Sequence, residues 1–356
     1  MIIYYSVYLL VIIVGIAIFH KAFTHNRIRL FAGIAAVLMI VPEAFRSSNI
    51  GEDTLAYISW FERYYTSGWK ATLFEGNPDE EIGYRVLNLI ISIFTHHEQG
   101  LIIVTSILII ALHLFFLMHN SRHLPISILL FFACNHFLTS MCSLRQYIAM
   151  GIVWWFVPFM IKKNYKAAFG VTLIGFLFHK TSLVFVIASS VAYYLSNHWY
   201  NIGLSLGLEL LSIPCINAII PIFLTFLPKY GIYFANIENE SLGVGKLRYI
   251  YIIIEVFILI MIMSKAKLHS KENIFLGILL TLSIYIGLLG KYIPHIFRLG
   301  YFFDYTLLLL VPQILPQKPR NRKLVELGLL LLSAVFFSYY LFTNAATTVP
   351  YEFFWS

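Results

Sequence analysis

Arg145 opens the apolar run SLRQYIAMGIVWWF, Arg298 opens another within HIFRLGYFFDY, and His179–Lys180 form the tip between two apolar stretches in LFHKTSLVF. A guanidinium fork grips phosphate or carboxylate through two parallel hydrogen bonds, whereas lysine acts as a point charge. Arg46, Arg63, Arg85, Arg248 and Lys291 join them at the ends of apolar runs or in the connections between. An arginine inside a membrane span costs ~2.5–3.5 kcal/mol, so such side chains are expected to face water, a partner or a ligand. One arginine at a span end ordinarily snorkels to the interface. Eight cations on one face instead suit an anionic lipid headgroup, with at least three of them sharing one site.

The seventeen carboxylates cluster before residue 100, in EAFRSSNIGEDTLAYISWFERYY and DEEIGYRVLN. A loop carboxylate beside an apolar interior serves as a general base, orients a hydroxyl, or pairs with an arginine. Asp53 and Glu81 are the candidates for the first of these parts; Glu62, Asp79 and Glu80 read as solvated loop residues. His179 is a third candidate base, since imidazole titrates near neutrality. Glu209, Glu255 and Asp304 fall within or near apolar runs, where ionisable groups are rarely idle. A structural pairing is expected for Asp304. No HExxH, HxH or DxDxD grouping occurs, so neither metal nor cofactor is expected; Glu52–Asp53 is the nearest thing to a cation site. Cys134, Cys142 and Cys215 form no CxxC pair and read as free thiols. Tyr57, Trp60, Tyr64, Tyr65 and Trp69 lie in a polar stretch, where aromatic rings stack on sugars or lie along a membrane interface.

The elements that must hold these residues are membrane spans. Hydrophobic residues make up 60% of the 356, and charged residues 12%, against about 25% charged in soluble domains. That apolar content fills roughly twelve spans at ~18–20 residues each. A soluble enzyme is excluded, and so is a barrel of alternating strands. The runs lie near 2–19, 30–45, 100–118, 125–141, 143–161, 166–178, 181–197, 201–223, 247–264, 273–290, 298–315 and 324–341. The expected fold is all-α, a single polytopic helical bundle over residues 1–356 with about twelve transmembrane helices. Basic connections at 20–29, 119–123, 162–166, 264–272 and 316–323 then share the cytoplasmic side, leaving both termini outside. This accounts for the net charge of +8 without a nucleic-acid partner. The apolar start is followed, not preceded, by basic residues, so it reads as a span and not as a cleaved leader. The short stretch 84–95 is expected to be a re-entrant or interfacial helix inside a first outer loop, 46–99. A second outer loop covers 224–246. No P-loop is present, so energy must come from the substrate or an ion gradient.

Arg46 with NIGEDTLAYISWF (Asn49–Phe61), then EIGYRVLN (Glu81–Asn88), LRQYIAMG (Leu144–Gly151) and FHKTSL (Phe178–Leu183), resembles the EpsG-type branch of Wzy polysaccharide polymerases. The likeness spans nearly the whole chain. It implies a bacterial inner-membrane glycosyltransferase of O-antigen or capsule assembly, working without a metal on the periplasmic face. The growing glycan leaves its undecaprenyl-pyrophosphate carrier and joins the non-reducing end of one lipid-linked repeat unit. The partners implied are lipid-linked donor and acceptor, the bilayer and a chain-length regulator. Carried over by motif, the site includes Arg46, Gly51, Asp53, Tyr57, Glu81, Tyr84, Arg145, Gln146, His179, Lys180 and Ser182. Arg85 and Arg298 join by position. Glu52 departs from the family pattern, which favours a small or hydroxyl residue there.

On this expectation Arg145 and Arg298 hold the pyrophosphate, and Asp53, Glu81 or His179 is the base. Two other enzymes fit the same residues. One is a glycosyltransferase using a lipid-monophosphate sugar with Glu52–Asp53 on a metal; the other is an O-antigen ligase. A lipid-linked oligosaccharide flippase would call for polar residues through the midplane and related halves.

Overall fold

The computed structural model describes residues 1–20, 23–75, 80–226 and 246–356. These are helical, and their only β pairing is an isolated antiparallel bridge between Arg46 and Phe353. In chain order the helices are α1 (Ile2–Phe19), α2 (His25–Ala44), α3 (Thr54–Lys70), α4 (Ile82–Phe94), α5 (Glu98–Asn120) and α6 (Leu124–Ala133). There follow α7 (His136–Ser140), α8 (Leu144–Val153), α9 (Phe156–Ile161), α10 (Tyr165–Phe178), α11 (Ser182–Leu195) and α12 (Asn201–Ser212). The last are α13 (Ile216–Phe226), α14 (Lys246–Ser264), α15 (Lys271–Leu289), α16 (Phe297–Asp304), α17 (Leu307–Ile314) and α18 (Pro319–Thr343).

All twelve apolar runs form helix, yet among the described residues only seven stretches are long and apolar enough to cross a membrane. This is a multi-pass membrane protein. The other five runs fall short for local reasons. Asn135 takes left-handed backbone (φ 63°) and divides the run 125–141 into α6 and α7. Residues between Asp304 and Leu307 separate α16 from α17. Helices α10 and α11 have 14 residues each, and α2 carries Arg27, Arg29 and Glu43. The second outer loop lies, apart from its ends, outside the described residues.

The chain forms two compact units. The first comprises Met1–Val186 and Leu315–Ser356. Within it α5 packs on α2 and α8, α8 on α10, and α4 on both α3 and α10, while α18 closes against α6. Trp154, Tyr147, Phe131, Phe132 and Phe137 fill its core with no exposed surface. The stretch expected as an outer loop contains α3 and α4. On α3, Thr54, Tyr57, Phe61 and Tyr64 form one buried stripe at helical spacing. Helix α4 is inverted: its buried face is Tyr84, Arg85, Asn88 and Ile91, while Ile82, Val86, Ile90, Ile93 and Phe94 point outward. An apolar outer face suits lipid, and the polar inner face must find its partners within the protein.

The second unit, Ile187–Ile314, is built on α15, which packs against α12, α14, α16 and α17. A polar network, buried at Glu255 and Ser283 and half-buried at Arg248 and Asp304, ties three of these helices. Arg248 donates to Asp304 Oδ1 at 3.1 Å and to Ser283 Oγ at 3.0 Å, and Ser283 Oγ donates to Glu255 Oε1 at 2.6 Å. Asp304 therefore has the structural partner expected of it. Glu209 accepts from Thr281 at 3.0 Å.

Candidate active site

Glu81 is the centre of the first unit's polar cluster. It stands immediately before α4, at the N-cap position, where developing helix dipole favours a negative charge. Gly83 lets α4 approach α10: a Cβ there would lie 2.7 Å from the Leu177 carbonyl oxygen. Because the helices meet so closely, the Glu81 carboxylate reaches the turn that follows α10. Its Oε1 accepts the Lys180 backbone N–H at 3.2 Å and lies 3.2 Å from His179 Nδ1, within ion-pair range but off hydrogen-bond alignment. Its Oε2 accepts from the Arg145 guanidinium, which comes from the first turn of α8.

Glu81 is only 6% exposed. Burial alone raises its pKa, but the His179 imidazole and the Arg145 guanidinium outweigh burial and bring it down to about 2. A carboxylate held that low is a poor proton acceptor near neutrality. Of the parts open to Glu81 from its sequence, the geometry favours pairing with arginine over acting as the base.

Arg145 is also held from α3. Its guanidinium carbon lies 4.7 Å from the Trp60 ring centre and 5.9 Å from that of Tyr57. Tyr57 in turn meets Tyr84 edge-on at 5.5 Å. Arg145 Nε is buried without a hydrogen-bond partner, as is Ser182 Oγ in the following turn. Trp60 was legible as an aromatic in a polar stretch, but nothing in the sequence tied it to Arg145. The only signal is its position three residues after Tyr57, on the same side of a helix.

Other expected members have other surroundings. Arg46 is fully buried and donates to Glu43 O, to Ser106 Oγ at 3.1 Å and to Met141 O at 3.0 Å. Arg85 donates to the Thr72 carbonyl at 3.2 Å, pinning the π-helical turn Ala71–Glu75 to α4. Both arginines hold backbone in place where the sequence suggested phosphate ligands. Gln146 is buried one residue beyond Arg145, its amide 3.9 Å from Met150 Sδ. Asp53 is half-buried at the start of α3. Lys180 is exposed. Arg298 belongs to the second unit, where it is half-buried at the start of α16.

Glu80 is not a solvated loop residue. It is 4% exposed and accepts from Arg63 and from the Tyr64 hydroxyl, each at 2.5 Å. Burial and the Glu80 charge together raise the Tyr64 pKa above its ordinary value. Adjacent carboxylates thus point to different partners, Glu80 to α3 and Glu81 to α8 and α10. Among the described residues no group of three or more His, Cys, Asp or Glu could hold a metal ion.

The four motifs that build this cluster, from α3, α4, α8 and the α10–α11 turn, fall in order along the sequence. The EpsG family matches residues 29–353, nearly the whole chain. The chain belongs to the EpsG family. No curated protein and no solved structure matches it. Membership makes it a polysaccharide-polymerase type of membrane protein, glycosyltransferase-like in its chemistry. The EpsG match ends at Phe353, so it takes in the segment that bridges to Arg46.

Proposed function

We propose that this EpsG-family protein joins oligosaccharide repeat units carried on undecaprenyl pyrophosphate, at the periplasmic face of a bacterial inner membrane. The observation that carries the reading is the convergence of Arg145, His179 and the Lys180 turn on the single carboxylate of Glu81. Arg145 and Lys180 supply positive charge for the diphosphate. Glu81 fixes Arg145 and faces Nδ1 of His179, which leaves the other ring nitrogen to a substrate hydroxyl. A carboxylate that orients an imidazole for proton abstraction is a recurring device.

In the proposed step His179 Nε2 takes the proton of the acceptor hydroxyl. The acceptor oxygen forms its bond to the anomeric carbon of the donor. The bond from that carbon to the diphosphate oxygen breaks, and its electron pair leaves with undecaprenyl pyrophosphate. Charge that gathers on the departing phosphate is neutralised by Arg145 and Lys180, the kind of stabilisation that dominates many group transfers. Tyr57 and Trp60 back the guanidinium and limit its motion.

Glycan profiling after deletion and restoration of the gene tests the reading. A ladder that collapses to one repeat unit and returns on restoration is the expected result. Complete loss of surface glycan would overturn polymerisation in favour of a flippase or ligase. Strict dependence on added divalent metal, with one sugar added per event, would favour the lipid-monophosphate glycosyltransferase.

A further inference from the structure

The last residues of the chain are folded back on the first unit through backbone hydrogen bonds. Helix α18 ends at Asn344, which takes left-handed backbone (φ 49°, ψ 38°). Asparagine tolerates that conformation and commonly ends helices in it. Its side chain then holds the reversal closed: Oδ1 accepts from Thr348 N at 2.8 Å and Val349 N at 2.9 Å, and Nδ2 donates to Val349 O at 2.7 Å.

Within this turn and beyond it the segment meets four separate parts of the unit. Gly51 N donates to Thr347 O at 2.9 Å, Ser47 N to Glu352 O at 2.9 Å, and Phe354 N to Phe45 O at 3.1 Å. Tyr4 of α1 donates its hydroxyl to Thr348 O at 2.9 Å, and Tyr351 donates to Pro42 O of α2 at 3.0 Å. The Cys142 thiol donates to Ala346 O at 2.8 Å. Cys142 lies three residues before Arg145, and Gly51 three before Thr54, the first residue of α3. The two turns also touch each other, since Thr54 Oγ1 lies 3.5 Å from Met141 O.

Helix α3 brings Tyr57 and Trp60, and α8 brings Arg145. Their starting points are fixed to one another by the same ten residues from the far end of the sequence. We propose that Asn344–Phe353 is a strap whose closure by Asn344 sets Arg145 against the aromatic face of α3, making Asn344 a positioning residue for the transfer step. The inference rests on the polymerase reading for its effect on turnover. Closure of the strap can be measured independently, because Cys142 is buried under it. Misplacement of a binding group by about 1 Å can lower turnover by about a hundredfold, so loss of this support is a kinetic effect and not only a structural one.

The test uses purified full-length protein in detergent with Cys215→Ser, since Cys215 is an exposed thiol. Maleimide labelling of Cys142 is measured beside kcat and KM on lipid-linked repeat units. Asn344→Ala is expected to speed labelling and to lower kcat, each by about tenfold, with KM little changed. Asn344→Asp keeps both acceptor bonds, from Thr348 N and Val349 N, but sets an oxygen against Val349 O in place of the amide donor, so it is expected to restore both quantities in part, to values between wild type and Asn344→Ala. Adding Cys142→Ser to the alanine variant should remove the new label. Labelling that stays slow in Asn344→Ala would overturn the strap, and fast labelling with unchanged kcat would overturn its positioning role. If the unaltered protein makes no polymer, the polymerase reading and the kinetic role of the strap fail together, while Cys142 labelling still decides closure.

Discussion

At the scale of single residues, the division of labour around Glu81 governs what each substitution should do. Arg145 is the only guanidinium that the Glu81 carboxylate binds among the described residues. Its removal takes away charge placed for a departing diphosphate, so Arg145→Ala should lower polymer formation by ~10²–10³-fold. Lysine keeps the charge but loses the planar fork and the stacking on Trp60, so Arg145→Lys should fall between. Quantitative glycan ladders at matched membrane levels measure both, and a long-chain product from Arg145→Ala would remove it from the mechanism. Glu81→Gln leaves Arg145 without its counter-charge and should destabilise the first unit by about 3 kcal/mol at neutral pH. The sign of the pH effect follows from the depressed carboxyl pKa of about 2. The stabilisation is whole above about pH 4.5, the carboxyl's ordinary value, and disappears as pH falls toward 2. Thermal unfolding in detergent should therefore converge for wild type and Glu81→Gln on acidification. A gap that persists at low pH would refute the ion pair as its source.

At the scale of elements, short helices with unusual faces do the positioning. Helix α4 turns its polar side inward because Tyr84, Arg85 and Asn88 have partners in α3, the π-helical turn and the helix itself. Its contact with α10 tolerates no side chain at Gly83, so Gly83→Ala should cost about 1–3 kcal/mol and displace Glu81 from His179. Turnover should fall with stability, whereas an alanine variant of equal stability and full activity would separate α4 packing from the site. Much of this level was legible in the sequence. The positions of the helices other than α3, which lies in a stretch read as loop, follow from apolar runs, and Glu81, Arg145 and His179 stood out as ionisable groups at the edges of those runs. What was not legible was pairing. Arg46 and Arg85 have the same residue type and similar flanks as Arg145, yet they serve backbone carbonyls. Only tertiary contacts distinguish them. The same holds for Glu80 and Glu81, neighbours in sequence that face different helices, and for Asn135, whose left-handed backbone breaks a run that hydropathy alone reads as continuous.

At the scale of the whole molecule, helix length bears on where the first unit's site lies in the bilayer. On the proposed topology Lys162, Lys163 and Lys166 mark the cytoplasmic boundary just before or within the first turn of α10, as clustered basic residues do at interfaces. The 14 residues of α10 rise only about 21 Å at ~1.5 Å per residue, short of a hydrocarbon core of ~30 Å. His179 and Lys180 follow directly, so a straight α10 leaves them roughly 10 Å beneath the opposite boundary. At that depth the diphosphate must be drawn below the headgroup level to reach Lys180, and the recess keeps bulk water from competing with the acceptor hydroxyl. The orientation is open to a direct test. With the three native cysteines replaced, Lys180→Cys should react with an impermeant maleimide in right-side-out membrane vesicles and stay unlabelled in everted ones. A cysteine placed at Asn164 should show the reverse. Labelling of Lys180→Cys from the cytoplasmic side alone would put the Glu81 cluster on the wrong face for periplasmic polymerisation, however well its side chains are arranged.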